Sequence, residues 1–293
     1  MILKIFYFCN NLFFNTIIKL KSLKDLFRLR RRKEDAIKAL TKSLISVMHN
    51  EFLPEEKIWI DKIEILRDVL SKSTNKISIT DYGTGSPDLK LSCEEMRQGR
   101  VVNRTIGEVC KTASMSYKWA FLLFKLIREF RPNIVIEMGS SLGISGTYQA
   151  AALKLNRQGK MVTLEGAESL ASLAKENFKK LDLENIDVVV GRFSDTLQDV
   201  LLKNSPVDFI FIDGHHDKDA TVRYYNQVLP YLSDRAIIVF DDIGWSVGMQ
   251  QAWEAIKISE NVKVVLDLHD IGICISQRMA VPIKKKYYYK IEI

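Results

Sequence analysis

The chain has 293 residues, 47% hydrophobic and 27% charged, enough for one large α/β domain with an appended segment and too apolar for disorder throughout. Its net charge of +7 is unevenly placed: residues 1–50 hold eleven Lys/Arg and three acids, a net +8, whereas the rest holds 32 basic and 33 acidic residues, a net −1. A balanced body lacks the clustered cations that phosphate neutralisation needs, so nucleic-acid binding by the main domain is not expected.

Four cysteines (Cys9, Cys93, Cys110, Cys274) are scattered without CxxC spacing. That excludes a zinc framework and suits a reducing compartment, the cytoplasm. Residues 5–18 are apolar and aromatic but broken by Asn10, Asn11 and Asn15, and a membrane-spanning helix needs about 20 mostly apolar residues. The positive charges follow this stretch, whereas a secretory signal has them in front. From Lys19 to Lys33, Leu and Phe alternate with Lys and Arg. That pattern suits a basic amphipathic helix lying on the inner membrane surface through residues 1–33, or else a packing helix.

Residues 1–50 are read as a basic N-terminal segment, 51–104 as a helical and loop extension covering the substrate side, and 105–293 as the catalytic domain. Residues 34–72 read as helical, with Pro54, Glu55 and Glu56 marking a helix start and Ile58, Ile60, Ile63, Ile65, Leu66 and Val69 an apolar face. Residues 73–104, with Gly83, Gly85, Pro87 and Gly99, are the most irregular stretch. A helix capped by Ser116 runs to about Phe130, where Pro132 bars its continuation. Strands follow at 133–138, 161–165, 186–190, 208–213 and 236–242, each succeeded by a helical stretch. Two last strands, 262–268 and 271–276, are separated only by His269 and Asp270, a link too short for a crossover helix.

This alternation predicts a Rossmann-like, doubly wound, mostly parallel seven-stranded α/β sheet with a C-terminal antiparallel hairpin and an N-terminal helical extension. The unbroken apolar character of 133–136, 208–212 and 236–240 suits strands buried on both faces.

Ligands in such sheets bind beyond the carboxyl ends of the strands. There the chain reads Glu137-Met138-Gly139-Ser140-Ser141-Leu142-Gly143. Glycines allow a sharp turn and a close ligand, and the next helix offers free N–H groups. Ser141 stands where dinucleotide folds usually have glycine, which argues against a pyrophosphate. Glu165 ends the next strand, placed to bind ribose hydroxyls, a feature common to NAD and S-adenosylmethionine (SAM) sites. A second glycine turn, ISITDYGTGS at 77–86, is followed by Pro87 and no helical pattern. It reads as a structural or substrate-side loop.

VIEMGSSLGIS, TLEGAE, VVVGRFSD, FIDGHH and IVFDDIGW, in that order, resemble a class I SAM-dependent methyltransferase of the O-methyltransferase-like subgroup, over roughly 105–276. Residues 58–104 are more loosely similar to the N-terminal extension of bacterial members. The resemblance implies that Glu137 and the backbone of Gly139, Ser140, Ser141 and Gly143 hold the amino-acid end of SAM, and that Glu165 and Gly166 hold the ribose. Phe193 would lie near the adenine with Asp195 or a backbone group meeting its amine, and Asp213 would face the methyl donor.

Metal-dependent catechol-type relatives place one Asp after the fourth strand and Asp-Asn after the fifth. Asp213 and Asp241 match, and Asp242 replaces the Asn. Three oxygen ligands would suit Mg²⁺ or Ca²⁺, unless Asp241 and Asp242 merely cap the following turn. Asp213, His216 and Asp241 are the catalytic candidates. A histidine with pKa near 6.5 suits proton removal near neutrality, though His216 also reads as a lining residue. His215, His49 and His269 rank below it. Trp245 reads as an acceptor-pocket wall or a core anchor, and Tyr224, Tyr225 and Tyr231 as packing residues. The expected partner is a small-molecule or sugar-like acceptor, and a dimer is compatible with the sequence. An NAD-linked oxidoreductase is disfavoured because no Tyr-x-x-x-Lys set follows the fifth strand. A non-catalytic SAM-binding module stays as the other alternative.

Overall fold

The computed structural model describes residues 21–82, 98–276 and 285–293. The stretch before Lys21 and the Gly83–Pro87 part of the second glycine turn lie outside them.

Helix α1 takes in residues 21–30, followed by α2 (Asp35–His49) and α3 (Pro54–Ser71). The single helical stretch expected over 34–72 is thus two helices. Asn50 breaks it with left-handed backbone, and Pro54 starts α3, where its fixed φ and missing N–H are tolerated. Of the apolar face expected on α3, Ile60, Ile63 and Leu66 are buried together with Leu70, while Ile58, Ile65 and Val69 point outward. Spacings of three and four residues from Ile60 define one narrow stripe, and the other three fall off it.

Residues expected to be irregular contain a two-stranded antiparallel ribbon, β1 (Lys76–Asp81) and β2 (Arg100–Thr105). The core then runs α4 (Ile106–Ala113), α5 (Tyr117–Phe130), β3 (Ile134–Met138), α6 (Ile144–Asn156), β4 (Lys160–Glu165), α7 (Glu168–Lys180), β5 (Ile186–Val190), α8 (Phe193–Asn204), β6 (Val207–Ile212), α9 (Lys218–Val228), β7 (Leu232–Phe240), α10 (Val247–Ile258), β8 (Val262–Asp267), β9 (Gly272–Ser276) and β10 (Tyr287–Lys290). Ser116 occupies the N-cap of α5 without a side-chain capping bond.

The sheet order is β10-β8-β9-β7-β6-β3-β4-β5. Strands β3 to β7 are mutually parallel, and β9 enters antiparallel between β7 and β8. The expected seven strands are present with an eighth, because β10 pairs parallel with β8. Three consecutive tyrosines favour extended backbone there, a weak signal in so short an edge strand. Cys110 and Cys274 are buried free thiols, and burial pushes both pKa values up. Among the described residues, no helix is long and apolar enough to cross a membrane.

One buried charge cluster fastens α3 to α5. Glu56, almost wholly enclosed, accepts from Lys125 Nζ and Arg128 Nε, each at 2.9 Å, and from the Leu53 backbone N–H at 3.0 Å. These partners hold its carboxyl below the usual range despite burial. Removing the charge strands Lys125, itself 4% exposed. Glu56→Gln is therefore expected to destabilise the fold by about 3–5 kcal/mol in chemical denaturation. A cost below about 1 kcal/mol would mean that the pair does not hold the extension down.

Candidate active site

Strand register assembles the site. Met138 pairs with Leu164 on one side and Ile212 on the other, and Ile212 pairs with Phe240. The next residues, Glu165, Gly139, Asp213 and Asp241, therefore form a row across four strand ends. Backbone bonds fix it: Gly139 N–H donates to Leu164 O at 2.9 Å, Asp213 N–H to Met138 O at 3.0 Å, and Asp241 N–H to Ile212 O at 3.0 Å.

Gly139 is required by this closeness. Its φ is +108°, and a Cβ there would lie 2.0 Å from the Asp213 carbonyl oxygen. Gly143, at φ +82°, begins α6 against the Phe178 ring. Between them Ser141 takes left-handed backbone, φ 48°. Its N–H donates to Glu165 Oε2 at 2.8 Å. Its hydroxyl is buried without a hydrogen-bond partner. Left-handed non-glycine residues recur along this edge at His215, His216, Asp242 and His269, and such strain gathers where a site dictates geometry.

Glu137 lies one step below the row and is fully buried. Gln149 Nε2 donates to its Oε1 and Thr163 Oγ1 to its Oε2, both at 2.6 Å. Ser140 Oγ lies 2.5 Å from Thr163 Oγ1. The side chain expected to grip a ligand thus braces the floor of the turn. Burial, opposed by these hydrogen bonds, pushes its pKa up to about 7. Glu165 caps the turn, accepting also from Ala167 N–H at 2.9 Å. Burial raises it against the pull of those backbone donors.

Burial raises Asp213 well above the carboxylate range, aided by repulsion from Asp241, Asp242, Glu137 and Glu165. Asp241 is pushed up to about 7 by burial and Asp242. Asp242 is also raised, mainly by burial. Among the described residues, these aspartates pair with no lysine or arginine. His216 sits between two of them, Nε2 at 3.5 Å from Asp213 Oδ1 and Nδ1 at 3.5 Å from Asp242 Oδ2. Burial lowers its pKa although Asp242 pulls the other way. The Asp213, Asp241, Asp242 trio does not form a ready metal site: among the described residues no group of three or more His, Cys, Asp or Glu is arranged to hold an ion.

The other candidates separate. Phe193 is buried against His215 and Tyr224 at ring distances of 5.6 and 5.8 Å. Asp195 is half exposed and tied to Arg192 and Ser194, both at 2.8 Å. His215 accepts from or donates to Tyr224 Oη at 2.9 Å. His269 is exposed beside Asp270. His49 ends α2. Tyr224 and Tyr225 are core residues, as expected. Trp245 is half exposed beside the Asp241–Asp242 turn, so it is no core anchor.

Sequence reading missed Tyr82. The β1–β2 ribbon rests on α7, with Ser169 Oγ donating to Ser78 O at 2.7 Å. This carries the Tyr82 ring over Gly166, where a Cβ would lie 3.0 Å from Cδ2. Asp81 acts electrostatically on His215 from the same ribbon. The available signal was the glycine turn at 77–86, which nothing local connected to Gly166.

Residues 136–243 match the family model of a methyltransferase domain. No curated protein matches the chain. A putative caffeoyl-CoA O-methyltransferase from Staphylococcus aureus is 18% identical with a TM-score of 0.51, covering 64% of this chain and 93% of that one. An O-methyltransferase from Bacillus cereus, in complex with SAH, is 24% identical with a TM-score of 0.49, covering 57% and 83%. An O-methyltransferase from Streptomyces achromogenes involved in tomaymycin synthesis, in complex with SAM, is 21% identical with a TM-score of 0.49, covering 56% and 82%. The chain therefore has the Rossmann-like class I methyltransferase fold. Residues 136–243 are the part of the chain that is similar to a methyltransferase domain.

Gly139→Ala should lower unfolding free energy by roughly 3 kcal/mol or more, since neither φ nor the Asp213 carbonyl can yield cheaply. Ser141→Ala should change it by less than about 1 kcal/mol, because the lost hydroxyl has no partner. Equal effects in denaturant titrations would contradict the packing of the turn.

Proposed function

We propose that the chain transfers a methyl group from SAM to an oxygen of a small-molecule or sugar-like acceptor. The observation that carries this reading is the crowding of five carboxylates, without a lysine or arginine partner for its aspartates among the described residues, around a strained turn with an unpaired buried hydroxyl. SAM brings a sulfonium and an ammonium to such a cleft, where opposite charge relieves the repulsion.

The bound sulfonium supplies an electrophilic methyl group, leaving the protein to align the acceptor and take its proton. Ser141 Oγ and the N–H groups of the Gly139–Gly143 turn would bind the amino-acid end, over the floor braced by Glu137. Glu165 would release a backbone donor to accept from the ribose hydroxyls, with Gly166 and Tyr82 beside it. Phe193 would border the adenine and Asp195 meet its amine. Asp213 would face the donor. His216 would take the acceptor proton, its imidazolium held between Asp213 and Asp242, with Asp241 orienting the acceptor. Trp245 and the 51–104 extension would wall the acceptor side. The aspartates do not fit Mg²⁺ or Ca²⁺ well, because an imidazole separates two of them, and no step here uses a metal.

SAM should raise the melting temperature and NAD should not. Raised carboxyl pKa values favour the protonated, ligand-free fold, a stabilisation complete below about pH 4 and lost as pH climbs through about 7. A cationic ligand favours the ionised form, so the SAM-dependent shift should be larger at pH 8 than at pH 6. A shift that shrinks over that range, or one given equally by NAD, would refute the site. With SAM and an acceptor panel, His216→Gln and Asp213→Asn should each lower kcat/KM by about 10²–10⁴-fold, and EDTA should leave turnover unchanged. Full activity of Asp213→Asn would remove its role, and Mg²⁺-dependent turnover would reinstate the metal.

A further inference from the structure

The expectation of a membrane-facing segment concerned residues 1–33 alone. The fold joins that region to the far end of the chain. Lys290 N–H donates to Asp25 Oδ2 at 3.0 Å and Glu292 N–H to Ser22 Oγ at 2.9 Å. The Arg28 guanidinium lies 5.5 Å from the Tyr289 ring centre, and that of Arg32 lies 3.9 Å from Tyr287. Helix α1 and strand β10 therefore form one face.

Ser22 and Leu29 are buried and turn one side of α1 inward. The opposite side presents Leu23 and Phe27, one turn apart and 59% and 61% exposed, a costly display unless something covers them. Lys24 and Arg31 flank them at helical spacing, and Lys285, just before β10, and Tyr288 on it extend the face. A recess of ≈ 580 Å³ lies between Arg28 and Arg31 on one wall and Lys285 and Tyr288 on the other. Asp25 is engaged by Arg28 and Lys290, and Glu34 by Arg32. Among the described residues no carboxylate pairs with Lys24 or Arg31.

We propose that this composite face docks the protein on an anionic phospholipid bilayer. Exposed Leu and Phe can enter the acyl boundary, tyrosine suits the headgroup level, and lysine and arginine meet lipid phosphate. A second copy of the chain would oppose the same positive charge, and a bare polyanion would leave Leu23 and Phe27 uncovered. β10 is the outer strand, several strands from β3 and β6, so docking leaves the catalytic cleft accessible. The inference does not depend on the methyl-transfer reading.

The test is co-sedimentation of the full chain with vesicles of phosphatidylcholine alone or with phosphatidylglycerol. The wild type should bind only the anionic vesicles and release as salt rises. Lys24→Glu/Arg31→Glu should weaken binding about thirtyfold. Phe27→Ser should weaken it without altering charge. Lys175→Glu/Lys179→Glu, an equal charge change on exposed α7 positions, should bind as wild type, with circular dichroism confirming that all variants fold. Absent binding, equal loss in the α7 variant, full binding by Lys24→Glu/Arg31→Glu, or tighter binding to duplex RNA than to vesicles would each overturn the proposal.

Discussion

Repulsion among carboxylates at one sheet edge is the constraint around which this protein is arranged. Asp213 is raised by burial and then by Asp241, Asp242, Glu137 and Glu165, four acids from three other strand ends. Glu137 is buried outright and needs Gln149, Thr163 and Ser145 to hold it. A fold concerned only with its own stability would gain by replacing such groups with apolar ones. Their concentration beside left-handed residues supports the proposed site for a positively charged ligand.

The parallel register makes that concentration unavoidable. Pairing Met138 with both Leu164 and Ile212, and Ile212 with Phe240, sets the following residues side by side. The same closeness explains Gly139, whose missing side chain makes room for the Asp213 carbonyl. Glycine here serves strand packing first, and the approach of a ligand follows from it.

The N-terminal extension acts at two places. The Glu56–Lys125–Arg128 cluster and the apolar stripe of α3 hold it on the core, and the β1–β2 ribbon brings Tyr82 over Gly166. At the opposite end of the sheet, α1 and the turn after it clasp β10 through Asp25, Ser22 and two arginine–tyrosine contacts. One part of the appended chain thus shapes the cleft, while another shapes a surface remote from it.

Periodicity and turn chemistry, both local, determined the alternating strands and helices, the final hairpin and the row of acids at strand ends. For this reason Glu165 could be singled out from spacing, and Asp213, Asp241 and His216 from their strand-end positions together with the family resemblance and the chemistry of imidazole. Which acid bears on a ligand and which braces the floor is not a local property. Glu137 and Glu165 look alike in sequence, yet Glu137 is sealed beneath the turn and Glu165 caps it, because adjacent strands decide what each side chain meets. Tyr82 over Gly166, His216 between two aspartates and the pairing of β10 with β8 likewise depend on contacts between residues distant in the chain. Hydrophobic period specifies each element and the face it buries. Only packing, which brings remote elements to within hydrogen-bonding distance, specifies the neighbours.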